Sequence, residues 1–373
     1  MKVINTGNTY EVYDDALKVY DTLPPQTYVV RCSQNRGFFM EKYIDPAIKD
    51  NKIYGVHPEK VTKVLRSFEN FERNLGVILS GDKGIGKSLF AKLLSIESIK
   101  NGLPVIVIDK YIPGIASYLE SIRHEAVVLF DEFDKTFGEV NARDGEAGPQ
   151  TELLTMFDGI SGGKKLFVIT CNDISKLNSY LINRPGRFHY HFRFDYPTDE
   201  DIRAYLMDNV SEKFSDEIEK AVAFASRISL NFDCLRAISF ELNNGTPFEE
   251  AVGDLNILRV DNERFKLILH FKDSSRLVTE INMDMFDEKC QTYFAFKGED
   301  EQYINVEFAP DEAEFDAING EYYISDDNFE WSYDSKKDEE KYEAIGVSHL
   351  SIRRVNKKDR MHYRINDGKK GRK

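Results

Sequence analysis

Four runs of nearly unbroken apolar residues set the frame of this chain: Leu75 to Ser80, Val105 to Ile108, Val127 to Phe130 and Leu166 to Cys171. They do not alternate, which is how a strand reads when both of its faces are covered. Tyr190 to Phe194 adds a fifth strand. Between them the period changes to that of a helix, as in Leu89, Phe90, Leu93, Leu94 and Ile96, and Pro58 to Phe68 reads as a helix leading in. From Pro197-Thr198-Asp199-Glu200-Asp201, an acidic first turn, helical patterns continue to about Leu242 and stop at Asn243-Asn244-Gly245-Thr246-Pro247. Period-two alternation then takes over at Phe265 to Phe271, Leu277 to Met283, Tyr293 to Phe296, Tyr303 to Phe308, Tyr322 to Ser325 and His349 to Arg353, which predicts a separate, mostly-β C-terminal domain. Residues 1–54 hold short apolar runs broken at Pro24-Pro25 and Asn35-Arg36-Gly37, as a small β-containing region does.

The first buried strand runs into Gly81-Asp82-Lys83-Gly84-Ile85-Gly86-Lys87-Ser88, and Leu89 opens the helix behind it. Glycines at a strand-to-helix turn let successive backbone N–H groups converge on phosphate at the helix N-terminus. Lys87 is placed to reach the β and γ oxygens of a nucleoside triphosphate, and the Ser88 hydroxyl to ligate Mg²⁺. The third run ends in Asp131-Glu132-Phe133-Asp134, a Walker B arrangement. There Asp131 would order the metal shell and Glu132 would polarise the attacking water.

The fourth run ends at Thr170-Cys171-Asn172, where Asn172 is placed for the γ-phosphate and the lytic water, and Asn183-Arg184-Pro185-Gly186-Arg187-Phe188 sets two arginines on a turn. Four motifs in this order, with the helix Gln150 to Gly159 before the Asn172 strand, resemble the AAA+ ATPases and, within them, the AAA proper group. The likeness covers roughly residues 55–250. It implies an α/β fold with a five-stranded parallel sheet, a small helical lid, and ATP bound between adjacent subunits of a homo-oligomeric ring, usually a hexamer. In such a ring Arg184 and Arg187 would reach a neighbour's triphosphate, and Gly55-Val56 would lie near the adenine. On this basis residues 55–196 form the ATPase core, 197–253 the lid and 254–352 the C-terminal domain.

Two further positions carry family-based expectations. Lys110-Tyr111-Ile112-Pro113-Gly114 resembles the aromatic, aliphatic and glycine loop that lines the pore of ring unfoldases, which makes Tyr111 and Ile112 candidates for gripping an extended polypeptide. Pro113 departs from that pattern, and so does the 16-residue interval between Gly114 and Asp131. Residues 139–149, rich in Gly, Asp and Ala, read as a loop that could form a second pore element. Arg236, early in its helix, resembles the sensor 2 arginine of many AAA+ proteins, although members of AAA proper often lack one.

Composition refines the partners. The 373 residues carry a formal charge of −14, but residues 353–373 contain ten Lys and Arg against two Asp, a net of +8, which leaves −22 for the remainder. This basic tail reads as disordered, with nucleic acid as a possible contact. The acidic, aromatic stretch from Glu307 to Tyr342 disfavours phosphate and suits either a protein-docking module or an ordinary sheet surface. No apolar run approaches a membrane span, no secretory signal opens the chain, and four scattered cysteines lack metal spacing, so a cytoplasmic location without membrane contact is expected. The sequence therefore predicts an ATP- and Mg²⁺-dependent ATPase that remodels a macromolecule, with a protein client first. A nucleic-acid loader and a nucleotide-gated scaffold are the alternatives.

Overall fold

The computed structural model describes residues 1–5, 7–8, 10–14, 17–47, 52–54, 58–138, 148–158, 163–257, 263–295, 303–316, 319–333 and 345–355. The chain divides into two compact units, Met1–Phe194 and Asp195–Lys373. In the first, β1 (Lys2–Asn5) and β2 (Tyr10–Tyr13) pair as an antiparallel hairpin. The main sheet contains β3 (Thr27–Ser33), β4 (Gly37–Lys42), β5 (Leu75–Ser80), β6 (Val105–Ile108), β7 (Ala126–Phe130), β8 (Lys165–Cys171) and β9 (Tyr190–Arg193), in the order β4-β3-β6-β7-β8-β5-β9. All neighbours are parallel except β3 and β4. The five expected parallel strands, β5 to β9, are all present, and the sheet is extended to seven: β3 adds to the edge of β6 and brings β4 with it. Arg31 of β3 helps hold this join by donating to both oxygens of Asp109, at 3.0 and 2.8 Å, just beyond β6.

Strands without alternation have a direct cause here, because both sheet faces are covered. Leu75, Val77 and Leu79 of β5 with Leu166 and Val168 of β8 pack on one side with α1 (Pro58–Asn70) and α2 (Lys87–Lys100). Ile78, Phe167 and Ile169 point the other way, into a core with α3 (Ile115–Glu120), α4 (Phe133–Thr136) and α5 (Pro149–Phe157). Burying so many full aliphatic side chains stabilises the layers by roughly 1.5–3 kcal/mol each before entropy is counted.

The second unit opens with α6 (Asp199–Asn209), α7 (Asp216–Arg227), α8 (Phe232–Asn243) and α9 (Phe248–Asp254). The acidic start of α6 is a capping box: Thr198 Oγ1 accepts from Asp201 N (3.2 Å) and Asp201 accepts from Thr198 N (3.1 Å). Eight strands follow: β10 (Glu263–Phe271), β11 (Arg276–Met283), β12 (Cys290–Ala295), β13 (Tyr303–Phe308), β14 (Glu314–Asp316), β15 (Glu321–Ser325), β16 (Phe329–Tyr333) and β17 (Val347–Arg354). They form a five-stranded sheet, β11-β10-β17-β15-β14, and a three-stranded sheet, β12-β13-β16, around one core. Alternation is explained by one-sided burial: Phe265, Leu267, Leu269 and Phe271 of β10 point inward.

This β region is fastened to α7. Tyr322 of β15, 2% exposed, accepts from Ser226 Oγ at 2.8 Å and donates to the Ala223 carbonyl. The Arg227 guanidinium lies 5.3 Å from the Tyr322 ring, and Arg354, at the end of β17, donates to the Ile228 carbonyl.

Candidate functional site

The loop after β5 turns at Gly81, Gly84 and Gly86, with φ of 139°, 74° and 105°. Any Cβ at Gly81 would lie 2.3 Å from the Phe194 carbonyl oxygen, so a side chain there would displace the end of β9. Ile85, 1% exposed, anchors the loop, Asp82, Lys83 and Ser88 are exposed, and Leu89 is half-buried. Lys87, the first residue of α2, is buried beneath the loop and donates to the carbonyls of Gly81 (2.6 Å) and Asp82 (2.5 Å) and to Asn172 Oδ1 (2.9 Å). Burial pushes this ammonium below the ordinary lysine range, opposed by Asp82, Asp134 and Asp131 nearby.

The ends of β7 and β8 are bonded side by side. Thr170 Oγ1, in a residue 2% exposed, donates to Asp131 Oδ1 at 2.7 Å and accepts the Glu132 N–H at 2.8 Å. One hydroxyl therefore sets both the acid at the strand end and the backbone of the next residue. Glu132 sits at φ 46°, a left-handed conformation rarely adopted by a glutamate, and N-caps α4. Its carboxylate pairs with Lys135 at 2.5 Å. Lys135 holds Glu132 below the usual carboxylate range, with help from Asn172 and Lys83. The Asn172 amide thus spans the site: its oxygen takes the Lys87 proton donor, and its buried Nδ2, without a close hydrogen bond among the described residues, faces Glu132.

The two arginines of the 183–188 turn have different surroundings. Arg187 forms a fork with Asp158: Nη2 donates at 2.7 Å, Nε donates to the second oxygen, and Nη1 donates to the Tyr180 carbonyl at 2.7 Å. Asp158 is held below the usual carboxylate range by that guanidinium. Arg184 is exposed and stacks 5.3 Å from the Tyr180 ring. The backbone of this turn packs on β5 at Gly76, where a Cβ would lie 2.2 Å from the Arg187 carbonyl oxygen.

Residues 77–196 match the family described as ATPase family associated with various cellular activities (AAA). Residues 77–196 thus form a segment similar to the AAA ATPase domain. It is 28% identical over 140 residues to "Protein mac-1" of Caenorhabditis elegans, covering 35% of this chain and 17% of that protein. It is 29% identical over 160 residues to "ATP-dependent zinc metalloprotease FtsH" of Aster yellows witches'-broom phytoplasma (strain AYWB), covering 38% and 23%. It is 26% identical over 224 residues to "Proteasome-activating nucleotidase" of Methanopyrus kandleri, covering 53% and 50%. The chain thus spans half or less of the length of these relatives. The AAA ATPase domain that residues 77–196 match implies nucleotide binding there.

Lys87 and Ser88 at the end of the β5 loop come together with Asp131, Glu132 and Asn172 at the ends of β5, β7 and β8. Tyr111 is packed: its hydroxyl donates to Glu152 at 2.7 Å and its ring meets Phe137 edge-on at 5.8 Å. Ile112 is half-buried against the same core. Arg236 is exposed on α8, with Asp233 3.7 Å away. Gly55-Val56 and residues 139–147 lie outside the described residues, as does the tail beyond residue 355. Sequence reading left Asp134, Lys135 and Asp158 without roles. The i+3 spacing of Lys135 from Glu132 was the available signal for one of them. Among the described residues no group of three ligands could hold a metal by itself, and no helix is long and apolar enough to cross a membrane.

Proposed function

We propose that the chain binds ATP with Mg²⁺, hydrolyses it to ADP and phosphate, and works as part of a ring that uses this turnover to remodel a macromolecule, a protein in the first instance. The observation that carries the hydrolytic reading is the bonded set Lys87, Asn172, Thr170 and Asp131 with Glu132 beside it. The phosphate chain would lie on the N–H groups of residues 81–88, with Lys87 exchanging its carbonyl contacts for phosphate oxygens. Ser88 and Asp131 offer hard oxygen donors and would hold the Mg²⁺, which would neutralise charge on the phosphates. Glu132 would take the proton from the attacking water, and Asn172 would orient that water from the opposite side.

Arg184 supports the ring reading. It is an exposed cation on the motif's turn, whereas Arg187 is spent on Asp158 of its own chain. Arg184, with no ion pair among the described residues, would be free to meet a neighbouring subunit's triphosphate, Asp158 already being taken by Arg187. The protein client is suggested by relatives whose names refer to a metalloprotease and to proteasome activation.

The test is ATP turnover measured over a range of protein concentrations, together with imaging in a slowly hydrolysed ATP analogue. The proposal expects specific activity to rise with assembly, and Glu132→Gln to assemble but not to turn over. Undiminished turnover by Glu132→Gln, or full activity in a dilute monomer, would overturn it.

A further inference from the structure

The residue three positions past Asp131 is as buried as a core phenylalanine, although it is an acid. Asp134 sits on α4, is 4% exposed, and has no cation among its hydrogen-bond partners. One of its oxygens, Oδ2, accepts the backbone N–H of Asp173 at 3.1 Å; the other, Oδ1, is buried with no partner among the described residues. A carboxylate held this way costs stability relative to an apolar residue of its size, so it is not explained by the packing around it. Asp173 follows Asn172 directly, and Asn172 carries both the oxygen that receives Lys87 and the amide that faces Glu132.

We infer that Asp134 is a positioning residue for Asn172, which goes beyond the roles given to the phosphate loop and the acid pair and rests on the hydrolytic reading above. Three bonds join the ends of β7 and β8. Thr170 supplies two, to Asp131 and to the Glu132 backbone, on the near side of Asn172, and Asp134 supplies the third on the far side, to Asp173. Residues 170 and 173 are thus pinned to positions 131–132 and 134 of the same acidic segment, and Asn172 is suspended between the pins. With the far pin removed, Asn172 keeps its place in the strand but loses the constraint on where its amide points. That is a change in the orientation of water and phosphate rather than in the grip on the nucleotide.

The experiment compares Asp134→Ala and Asp134→Asn in the full chain, with native protein and Glu132→Gln alongside. Asparagine keeps an oxygen for the Asp173 N–H, and alanine does not. The expected result is a kcat lowered about tenfold in Asp134→Ala with KM for ATP within twofold of native, and a kcat in Asp134→Asn restored to within about threefold of native. Fluorescent ATP-analogue affinity should be the same in all three. Asp134→Ala at native kcat would overturn the inference, and so would loss of kcat and of nucleotide affinity together, which marks a collapsed site. Equal loss in Asp134→Asn and Asp134→Ala would also overturn it, because the charge rather than the N–H anchor would then matter. Were Asp134→Ala not to fold, Asp134→Asn and Asp134→Ser decide the matter: serine is too short to reach Asp173, so it must show the kcat loss while asparagine does not. Absence of turnover in the native chain refutes the hydrolytic reading itself, a result that these substitutions cannot mimic.

Discussion

Lys165, the first residue of β8, is 4% exposed and gives its ammonium to three carbonyls, those of Ile122 (2.7 Å), His124 (2.9 Å) and Gly163 (3.0 Å). Desolvation outweighs these contacts and lowers its pKa from 10.5 to about 8, with only Glu125 acting the other way. The unfolded chain keeps this proton up to about pH 10.5 and the folded chain releases it near 8, so in that interval the unfolded state binds more protons and stability rises with pH. At ~1.4 kcal/mol per unit, the full amplitude is roughly 3 kcal/mol, of which about 2 kcal/mol falls between pH 7 and 9.5. Cys171 at the other end of β8 works in the opposite sense. Its burial pushes the thiol up to about 12, so the unfolded thiol ionises first and stability falls as pH rises past 9. The two effects separate only by difference. Urea unfolding of native protein and Lys165→Met across pH 7 to 9.5 should show the native chain gaining about 2 kcal/mol on the variant as pH rises. Lys165→Gln, which keeps a donor for the carbonyls, should behave like Lys165→Met in slope. Parallel pH profiles for native and both variants would refute the reasoning, because Lys165 would then titrate alike folded and unfolded.

Four other substitutions probe the chain elsewhere. Thr170→Val removes the hydroxyl shared by Asp131 and the Glu132 N–H, and steady-state kinetics should show kcat down roughly tenfold to thirtyfold with nucleotide affinity kept. Arg187→Ala breaks the Asp158 fork and should lower stability by about 1 kcal/mol, a figure discounted because Asp158 is 39% exposed, whereas Arg184→Ala should leave the melting temperature unchanged and remove assembly-dependent turnover. Tyr322→Phe deletes the hydroxyl bonded to Ser226 and Ala223 and should cost the second unit about 1–2 kcal/mol, read as faster amide exchange in residues 216–230.

What the sequence could show depended on how far apart the cooperating residues lie. β5 and the glycine turn after it are contiguous with Lys87, so the loop's geometry was readable as a motif with its own strand and helix. Unbroken apolar runs identified strands covered on both faces, and alternation identified strands covered on one, because each pattern follows from the same pleat. Sheet membership was another matter. β3 looked like part of a small N-terminal region, and nothing local to Thr27–Ser33 says that it pairs in parallel with Val105–Val107. Arg187 and Arg184 were alike on the page, since the distinction between them is made by Asp158, 29 residues earlier in the chain. Asp134 was hidden for a further reason: a buried acid and a solvated one have the same letter.

The packed Tyr111 follows from the same long-range stitching. Past β6, Asp109 is held by Arg31 of β3, and two β4-to-α3 contacts cover the segment that comes next: Phe38 stacks on Tyr118 with ring centroids 5.0 Å apart, and its ring lies 3.6 Å from where a Gly114 Cβ would be. On the other side Glu152 of α5 takes the Tyr111 hydroxyl and Phe137 takes its ring edge. Residues 109–118 are therefore braced from the β3–β4 pair and from α5 together. A loop that lines an open channel needs its aromatic ring unpaired, and here that ring already has a carboxylate and a phenylalanine. A Tyr111 that reached out to a client would first give up both contacts, so the added strands β3 and β4 set the rigidity of the segment that resembles an aromatic pore loop.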